Sequence, residues 1–565
     1  MSEPTRRMPN PTITPEGHWE GTIVFTPEAM NTRALFMLPK GDVVPVILVP
    51  GIMGTNLRAK RNPIVNRKRD ERNNALLPGE AAWRAPNTVK EKVNEVRTWQ
   101  KRKARIRQQI LDRETLEVDE TGEIILPPDA GEHGLTEATS RPQGWGEVHA
   151  DSYGQLLAQL ECHLNQTFDF NDYTKEREIR RRWKEVMHCD PAQWGVRSIP
   201  PLTEDELVKH ARNYYPVYAC GYNWLDSNWE SSKRLEQRIL DILKFWTDRR
   251  EKCKQVILVT HSMGGLVARA CAKRIPDKIA GIIHGVMPAL GAPAAYRRIA
   301  CGTESTSPSR TSTLDKQAME GFATIAGPTT EDTTAVLATA PGPLELLPNQ
   351  LYPKPWLHVG VVTPAHGNQG SYRSILSLPP ADETPYALYA DWTSWYRVIN
   401  PALADPAGKY GRAKGTVETA IRDALDSAQR FHMLYVRDFY HPNTYAFYCT
   451  DSANMTFGEV RWTAREQHGS GTVLTPANVK QAQFFGHTAT GGRKVMIEGA
   501  TELHFEPEEQ DIAGDGTVPP QSGAGPGGKV KQLFETRGYD HQGAYNHKSM
   551  QLLTQYLIAK IAQEL

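Results

Sequence analysis

Cysteine is scarce and scattered in this sequence. The seven residues, Cys162, Cys189, Cys220, Cys253, Cys271, Cys301 and Cys449, are odd in number and form no Cys-x-x-Cys pair. That spacing argues against a disulfide framework and a structural zinc site, and leaves buried thiols that pack as small apolar groups. Long apolar runs are also missing: none approaches the roughly 18 residues of a membrane span. Met1–Gly21 is polar and proline-rich and lacks the apolar segment of a secretory signal. The expectation is a protein made in the cytoplasm that reaches any external target by another route. Neither sign of charge prevails, with 66 Lys and Arg against 65 Asp and Glu. A near-zero balance argues against wholesale nucleic-acid binding. There is no internal repeat. What is present in quantity is apolar material, 39% of 565 residues, enough for a large core.

Much of it lies in short continuous runs. Val43–Val49, Tyr215–Cys220, Gln255–Val259 and Ile279–Val286 show no polar alternation, which marks strands buried on both faces of a parallel sheet. Between the second and third, Ser231–Arg249 places Leu235, Ile239, Ile242, Leu243 and Trp246 at helical spacing. Gly264–Arg274 reads as the next helix. Strands alternating with helices predict right-handed crossovers and an α/β architecture. Trp356–Val362, Thr444–Cys449 and Lys529–Phe534 are strand-like, and Lys548–Ile561 closes the chain as an amphipathic helix.

Charged and polar insertions separate these elements. Arg58–Gly144 contains Arg58, Lys60, Arg61, Arg67, Lys68, Arg69 and Arg72, followed by Val89, Val93, Val96, Ile106 and Ile110 at helical spacing. Lys101, Arg102, Lys103 and Arg105 crowd that same basic amphipathic helix. It is either a solvated helix packing one face on the domain, or a lid or surface that meets anionic lipid. Ala289–Pro341 is expected to form loops and a cap, not a separate core. Pro379–Ala428 and Ser452–Asp511 read as further insertions.

One segment carries chemistry. Val256–Val259 runs into Thr260-His261-Ser262-Met263-Gly264 and then a helix, which is the strand–turn–helix context of a nucleophile elbow. The turn needs small residues two positions from the serine; Gly264 complies, while Thr260 departs. A serine needs a base and oxyanion donors. The glycine turn Val49-Pro50-Gly51-Ile52-Met53-Gly54 follows the first strand, so the N–H groups of Ile52 and Met263 are the candidate donors. Acid and base should follow the serine in that order. Asp515, in the turn Gly514-Asp515-Gly516, is the candidate acid, with Asp451 as the alternative. His541, between the last strand and the closing helix, is the candidate base, with His547 as the alternative. His261 adjoins the serine and is expected to point away from it. No metal or organic cofactor is needed.

These residues resemble a known family. Pro45 through Leu57, with Val49-Pro50-Gly51-Ile52-Met53-Gly54 at its centre, is similar to the opening of lecithin–cholesterol acyltransferase-like enzymes. Tyr222-Asn223-Trp224 is similar to that family's Tyr-Asp-Trp. Thr444–Asp451 resembles the strand that precedes its acid, and Pro341–Pro348 resembles a lipase cap segment. The resemblance implies the roles proposed above for Ile52, Asp515 and His541. Trp145-Gly146-Glu147-Val148-His149 and Gly221-Tyr222-Asn223-Trp224 more closely resemble the third family of lipase effectors delivered by bacterial type VI secretion. That likeness implies attack on membrane phospholipids of rival cells, a cognate immunity protein, and an adaptor or spike protein for delivery. Thr260 stands where most members have Gly, a departure expected to bear on rate more than mechanism.

The sequence therefore predicts an α/β-hydrolase fold, with a mostly parallel sheet, helices on both faces and large insertions. Residues 1–57 and 145–288 are assigned to the N-terminal part of the core, 58–144 to a charged insertion, 289–430 to cap insertions and 431–565 to the C-terminal part. The predicted activity is serine-dependent hydrolysis of lipid acyl esters. Two alternatives remain: acyl transfer to a lipid alcohol through the same acyl-enzyme, or a non-catalytic scaffold that binds membranes or a partner.

Overall fold

A computed structural model describes residues 12–13, 19–20, 41–61, 76–130, 134–170, 177–363, 371–411, 415–465, 473–488, 490–499 and 501–565. Most of Met1–Gly21, together with Arg67, Lys68, Arg69 and Arg72 of the basic cluster, lies outside them. Twelve strands build the two large sheets: β1 Val46–Val49, β2 Val217–Ala219, β3 Val256–His261, β4 Ile279–Gly285, β5 Leu357–Thr363, β6 Ser371–Leu378, β7 Thr444–Cys449, β8 Val460–Arg465, β9 Gln483–His487, β10 Arg493–Ile497, β11 Thr501–Pro507 and β12 Gln532–Thr536. The principal helices are α1 Val89–Lys101, α2 Ala104–Ile110, α3 Ala150–Leu164, α4 Asn228–Asp248, α5 Gly264–Arg274, α6 Pro293–Cys301, α7 Thr313–Ala326, α8 Thr330–Leu337, α9 Val417–Arg430 and α10 Lys548–Ile561.

The first sheet has the order β2-β1-β3-β4-β7-β12, and all its pairs are parallel. Its apolar runs are continuous because both faces are covered. Val46, Leu48, Ile257 and Val259 enter one core with Leu156 of α3 and Leu557 of α10. Ile47, Val49, Val256 and Leu258 enter the opposite core with Leu235 of α4 and Val267 of α5. The outer edge of β2 is closed by side chains: Trp145 Nε1 donates to Val217 O, and Val217 N–H donates to Glu161. Such cover removes an exposed pairing edge. Chain order reverses at β1, so a crevice opens at the C-terminal ends of β1 and β3, the usual ligand site of an open parallel sheet.

The second sheet, β6-β5-β8-β11-β10-β9, is antiparallel except at β5–β8. It differs from the expectation. Trp356–Val362 is indeed a strand, but of this sheet. Val460–Pro507, within the segment Ser452–Asp511 read as an insertion, supplies β8 to β11. The insertions also carry a core of their own, in which Tyr296 and Ile299 of α6 meet Trp356, Trp395, Trp462, Ile421 and Phe505. The expectation of loops and a cap at 289–341 is replaced by α6, α7 and α8. Arg493 is buried in this second core without a carboxylate; it donates to Trp395 O and Ala300 O. The chain leaves β7, makes this excursion and is returned by pairing of Asp451–Thr456 with Ile512–Gly514.

The basic helix also differs. It breaks at Arg102-Lys103 into α1 and α2, and its buried side is Trp99, Arg107, Gln108 and Ile110. Val89, Val93 and Ile106, expected on the packed face, are exposed. The reason is that Arg107 reaches the Thr324 and Ile325 carbonyls at the end of α7, which turns the polar side inward. All seven cysteines are free thiols, Cys189 half-buried and the rest buried. Among the described residues no helix is long and apolar enough to cross a membrane.

Candidate active site

Every residue of β3 is buried, and the strand delivers its last residue, His261, against the turn at Ser262. Ser262 has φ 52°, a left-handed conformation disfavoured for a side chain with a Cβ. Strain of this kind persists where the surroundings enforce it. Here Ser262 N–H donates to Gly285 O, and Gly265 N–H donates to Ser262 O. A Cβ at Gly264 would lie 2.4 Å from the Val49 and Pro50 carbonyls, so the tight exit from the turn demands glycine. Thr260 fits on the near side because its hydroxyl lies 2.8 Å from Nδ1 of His284, its register partner on β4.

Three residues far apart in sequence meet at this turn. His541 Nε2 is 2.8 Å from Ser262 Oγ, and His541 Nδ1 is 2.7 Å from Asp515 Oδ2. The other carboxylate oxygen of Asp515 accepts the N–H groups of Thr517 and Val518. Asp515 is buried, as is Ser262 with 3% of its surface accessible. Ser262, His541 and Asp515 are thus brought together. Asp451 is not: its oxygens accept Ala453 and Gly538 N–H groups in a turn. His547 caps α10 and packs by Tyr539, away from the serine.

The Gly51–Gly54 turn follows β1 beside the serine. Among the described residues neither the Ile52 nor the Met263 N–H has an acceptor within the protein. Met53 has φ 62°. The loop is held from outside: Tyr222 O–H donates to Pro50 O, and Trp83 Nε1 donates to Met53 O. Trp83 in turn packs on Trp99 of α1 and on Trp224. Trp145 and Trp224 are fully buried, so both are packing residues.

A motif of six parallel strands, a strained serine at the crevice and a Ser–His–Asp line decides the architecture. The chain has the α/β-hydrolase fold. The family described as PGAP1-like alpha/beta domain matches residues 230–307, which include α4, β3, Ser262, α5 and β4. Among solved structures, the Tle4–Tli4 complex contains a chain that is 27% identical, with 92% of this chain and 98% of that one covered and a TM-score of 0.70. The likeness to type VI lipase effectors read from the sequence is therefore to Tle4 and not to the third family expected. Phospholipase PlaB from Legionella pneumophila is 9% identical over 51% of this chain and 71% of its own, with a TM-score of 0.14, too low to bear on fold or function. No curated protein matches this chain.

Of the basic residues expected to meet membrane, Lys101, Lys103 and Arg105 are exposed, whereas Arg102 stacks over the Trp99 ring at 4.5 Å. Val89, at the opposite end of α1 from Lys101, is 78% accessible, as is Leu314 of α7, a helix that packs beside α1. Among the described residues no group of three or more His, Cys, Asp or Glu side chains is placed to hold a metal ion.

Sequence reasoning set His261 aside. Its ring does point away from Ser262 Oγ, but it reaches the His541 carbonyl at 2.8 Å through Nε2 and the Tyr153 hydroxyl at 2.9 Å through Nδ1. Burial pushes its imidazole down to about 3, which keeps it neutral. Nothing in the sequence marks Tyr153; only its place one turn into α3, after the Trp145–His149 motif, could have drawn notice.

Proposed function

We propose that this protein is a serine-dependent lipid acyl-ester hydrolase of the phospholipase or lipase type, acting as an antibacterial type VI effector. The hydrogen-bonded line Ser262–His541–Asp515, with spacings of 2.8 and 2.7 Å, carries the reading. Ser262 Oγ attacks the ester carbonyl while His541 Nε2 takes its proton. Asp515 holds Nδ1 and stabilises the imidazolium that forms. The Ile52 and Met263 N–H groups receive the oxyanion. His541 then protonates the leaving alcohol, and water, activated by the same histidine, releases the fatty acid. Both oxyanion donors lack a competing acceptor, which leaves them free for that task.

The lipid substrate is supported by the likeness to Tle4 and by the exposed surface of α1, α2 and α7, which carries Val89 and Leu314 and, apart from them, Lys101, Lys103 and Arg105. That surface suits a membrane of anionic lipid. Because α1 reaches the oxyanion loop through Trp99 and Trp83, movement of the helix on lipid would be felt at the site. A partner that neutralises the protein in its producer is supported by the matched protein's complex with Tli4. An adaptor or spike protein for delivery follows from the effector reading.

The decisive experiment is hydrolysis of phospholipid vesicles by wild type and by Ser262→Ala. Release of fatty acid that falls by about 10³-fold or more in the variant supports the reading. Equal release, or toxicity to target cells that survives the substitution, overturns it in favour of a binding scaffold.

A further inference from the structure

Two loops must keep register for this chemistry: the turn Gly51–Gly54, which presents the Ile52 N–H, and the loop around His541. They come from opposite ends of the chain and share no backbone hydrogen bond among the described residues. They are nevertheless joined through two side chains. Gly51 N–H donates to the Tyr153 hydroxyl oxygen at 3.0 Å. Since that oxygen accepts, its own proton is free to go to His261 Nδ1, 2.9 Å away. His261 then carries its single proton on Nε2 and donates it to the His541 carbonyl, 2.8 Å away. Every donor meets an acceptor, and the direction of each bond fixes the next. On the other side His541 N–H donates to Asp515 O at 2.7 Å, so the base is held at both ends of its own backbone unit.

The packing leaves little slack. Tyr153 and His261 are buried, with their rings edge to face at 5.5 Å. A Cβ at Gly51 would come within 2.8 Å of His261 Nδ1 and 2.9 Å of Ser262 Cβ, so the oxyanion turn lies directly on this pair. Tyr545 closes the far side of the His261 ring and donates to Thr260 O.

We propose that Tyr153 and His261 are positioning residues, a buried relay that sets the separation between the oxyanion turn and the catalytic base. The inference rests on the serine-hydrolase reading of the site. Neither residue faces the reacting atoms; each acts through the loop it holds. Misplacement of about 1 Å costs up to about 10²-fold in rate, so the relay should be visible in kcat.

The test uses the full chain and two readouts: hydrolysis of a soluble short-chain ester, and the rate of labelling of Ser262 by a fluorophosphonate. Tyr153→Phe and His261→Asn should each lower kcat and the labelling rate by about 10- to 100-fold, with KM within about twofold. His261→Gln keeps an amide N–H near Nε2 but leaves the Tyr153 hydroxyl without its acceptor, so it should lose as much as Tyr153→Phe. The double variant Tyr153→Phe/His261→Asn should be no slower than its slower parent, because both break one chain. The proposal is overturned if the variants keep wild-type kcat and labelling, if losses follow only the folded fraction given by melting curves, or if the double variant is slower than its slower parent, with the two single losses multiplied. Should the His261 variants fail to fold, Tyr153→Phe decides, since it removes one hydroxyl and keeps the ring. Failure of the underlying reading looks different: wild type would then resist the label, or Ser262→Ala would accept it.

Discussion

The two six-stranded sheets solve the same burial problem in opposite ways. In the parallel sheet β1, β3 and β4 are buried at every residue, because helices lie on both faces. In the second sheet β8, β10 and β11 alternate between buried and less buried positions, because one face alone meets its core. The candidate chemistry follows the first pattern. Ser262 and the oxyanion turn both sit at C-terminal ends of parallel strands. The second sheet contributes none of the three aligned residues; it shares its core with α6. The difference teaches that Ser262 and the Gly51–Gly54 turn gather at one sheet, while Asp515 follows the small Ile512–Gly514 pairing by which the chain returns from the other.

Four measurements would break or sharpen that contrast. The largest effect belongs to the parallel sheet. Ser262→Ala, His541→Ala and Asp515→Asn should each lower phospholipid hydrolysis by about 10³-fold or more without moving the melting temperature, while Asp451→Asn should stay within a few-fold. If His541→Ala keeps its activity, the base is elsewhere.

Next comes a stability effect confined to the second sheet. Replacing Arg493 by Met strands the Trp395 and Ala300 carbonyls and should cost roughly 3 kcal/mol in thermal or urea unfolding. The rate per folded molecule should be unchanged. A matching fall in kcat would show that the two bodies are coupled.

The third measurement is stability against pH, in which buried histidines and buried carboxyls act in opposite directions. In and beside the parallel sheet, burial pushes His210 down to about 4 and His261 and His284 to about 3. Their unfolded forms bind protons first, so their contribution is full above about pH 6.5 and is lost as pH falls toward those values. In the cap, burial raises the Glu345 carboxyl to about 8 while it holds Ser227 and the Asn228 N–H. Its contribution is present below the ordinary carboxyl range and is lost as pH rises toward 8. Glu345→Gln should therefore flatten the alkaline limb of a melting-temperature profile and leave the acid limb alone. An altered acid limb would contradict the assignment.

The smallest effect is at the surface. Neutralising Lys101, Lys103 and Arg105 should reduce activity on anionic vesicles several-fold and spare a soluble ester. Equal loss on both substrates would remove the membrane role from this insertion.

Most of the parallel sheet was legible in the sequence because burial on both faces writes itself as unbroken apolar runs such as Val46–Val49. The helices α5 and α10 were read to the residue. The second sheet was not, since its strands alternate in polarity and pair out of chain order; only Trp356–Val362 announced itself. The basic segment was only partly legible for a related reason. Its valines have helical spacing, but spacing does not say which face is covered, and Arg107 reversed it by finding carbonyls at the end of α7.

By itself, then, the sequence determined the parallel frame, the elbow at Ser262 and the candidates for acid and base, since each depends on local patterning: apolar runs, a glycine that must follow a tight turn, a histidine before the last helix. Only the tertiary structure decided between Asp515 and Asp451 and between His541 and His547, and only it joined Gly51, Tyr153, His261 and His541 in one line. Those choices rest on contacts across 26 to 280 residues of chain. Hydrogen-bond geometry at about 3 Å is set by how the elements pack, and no spacing along the chain encodes it.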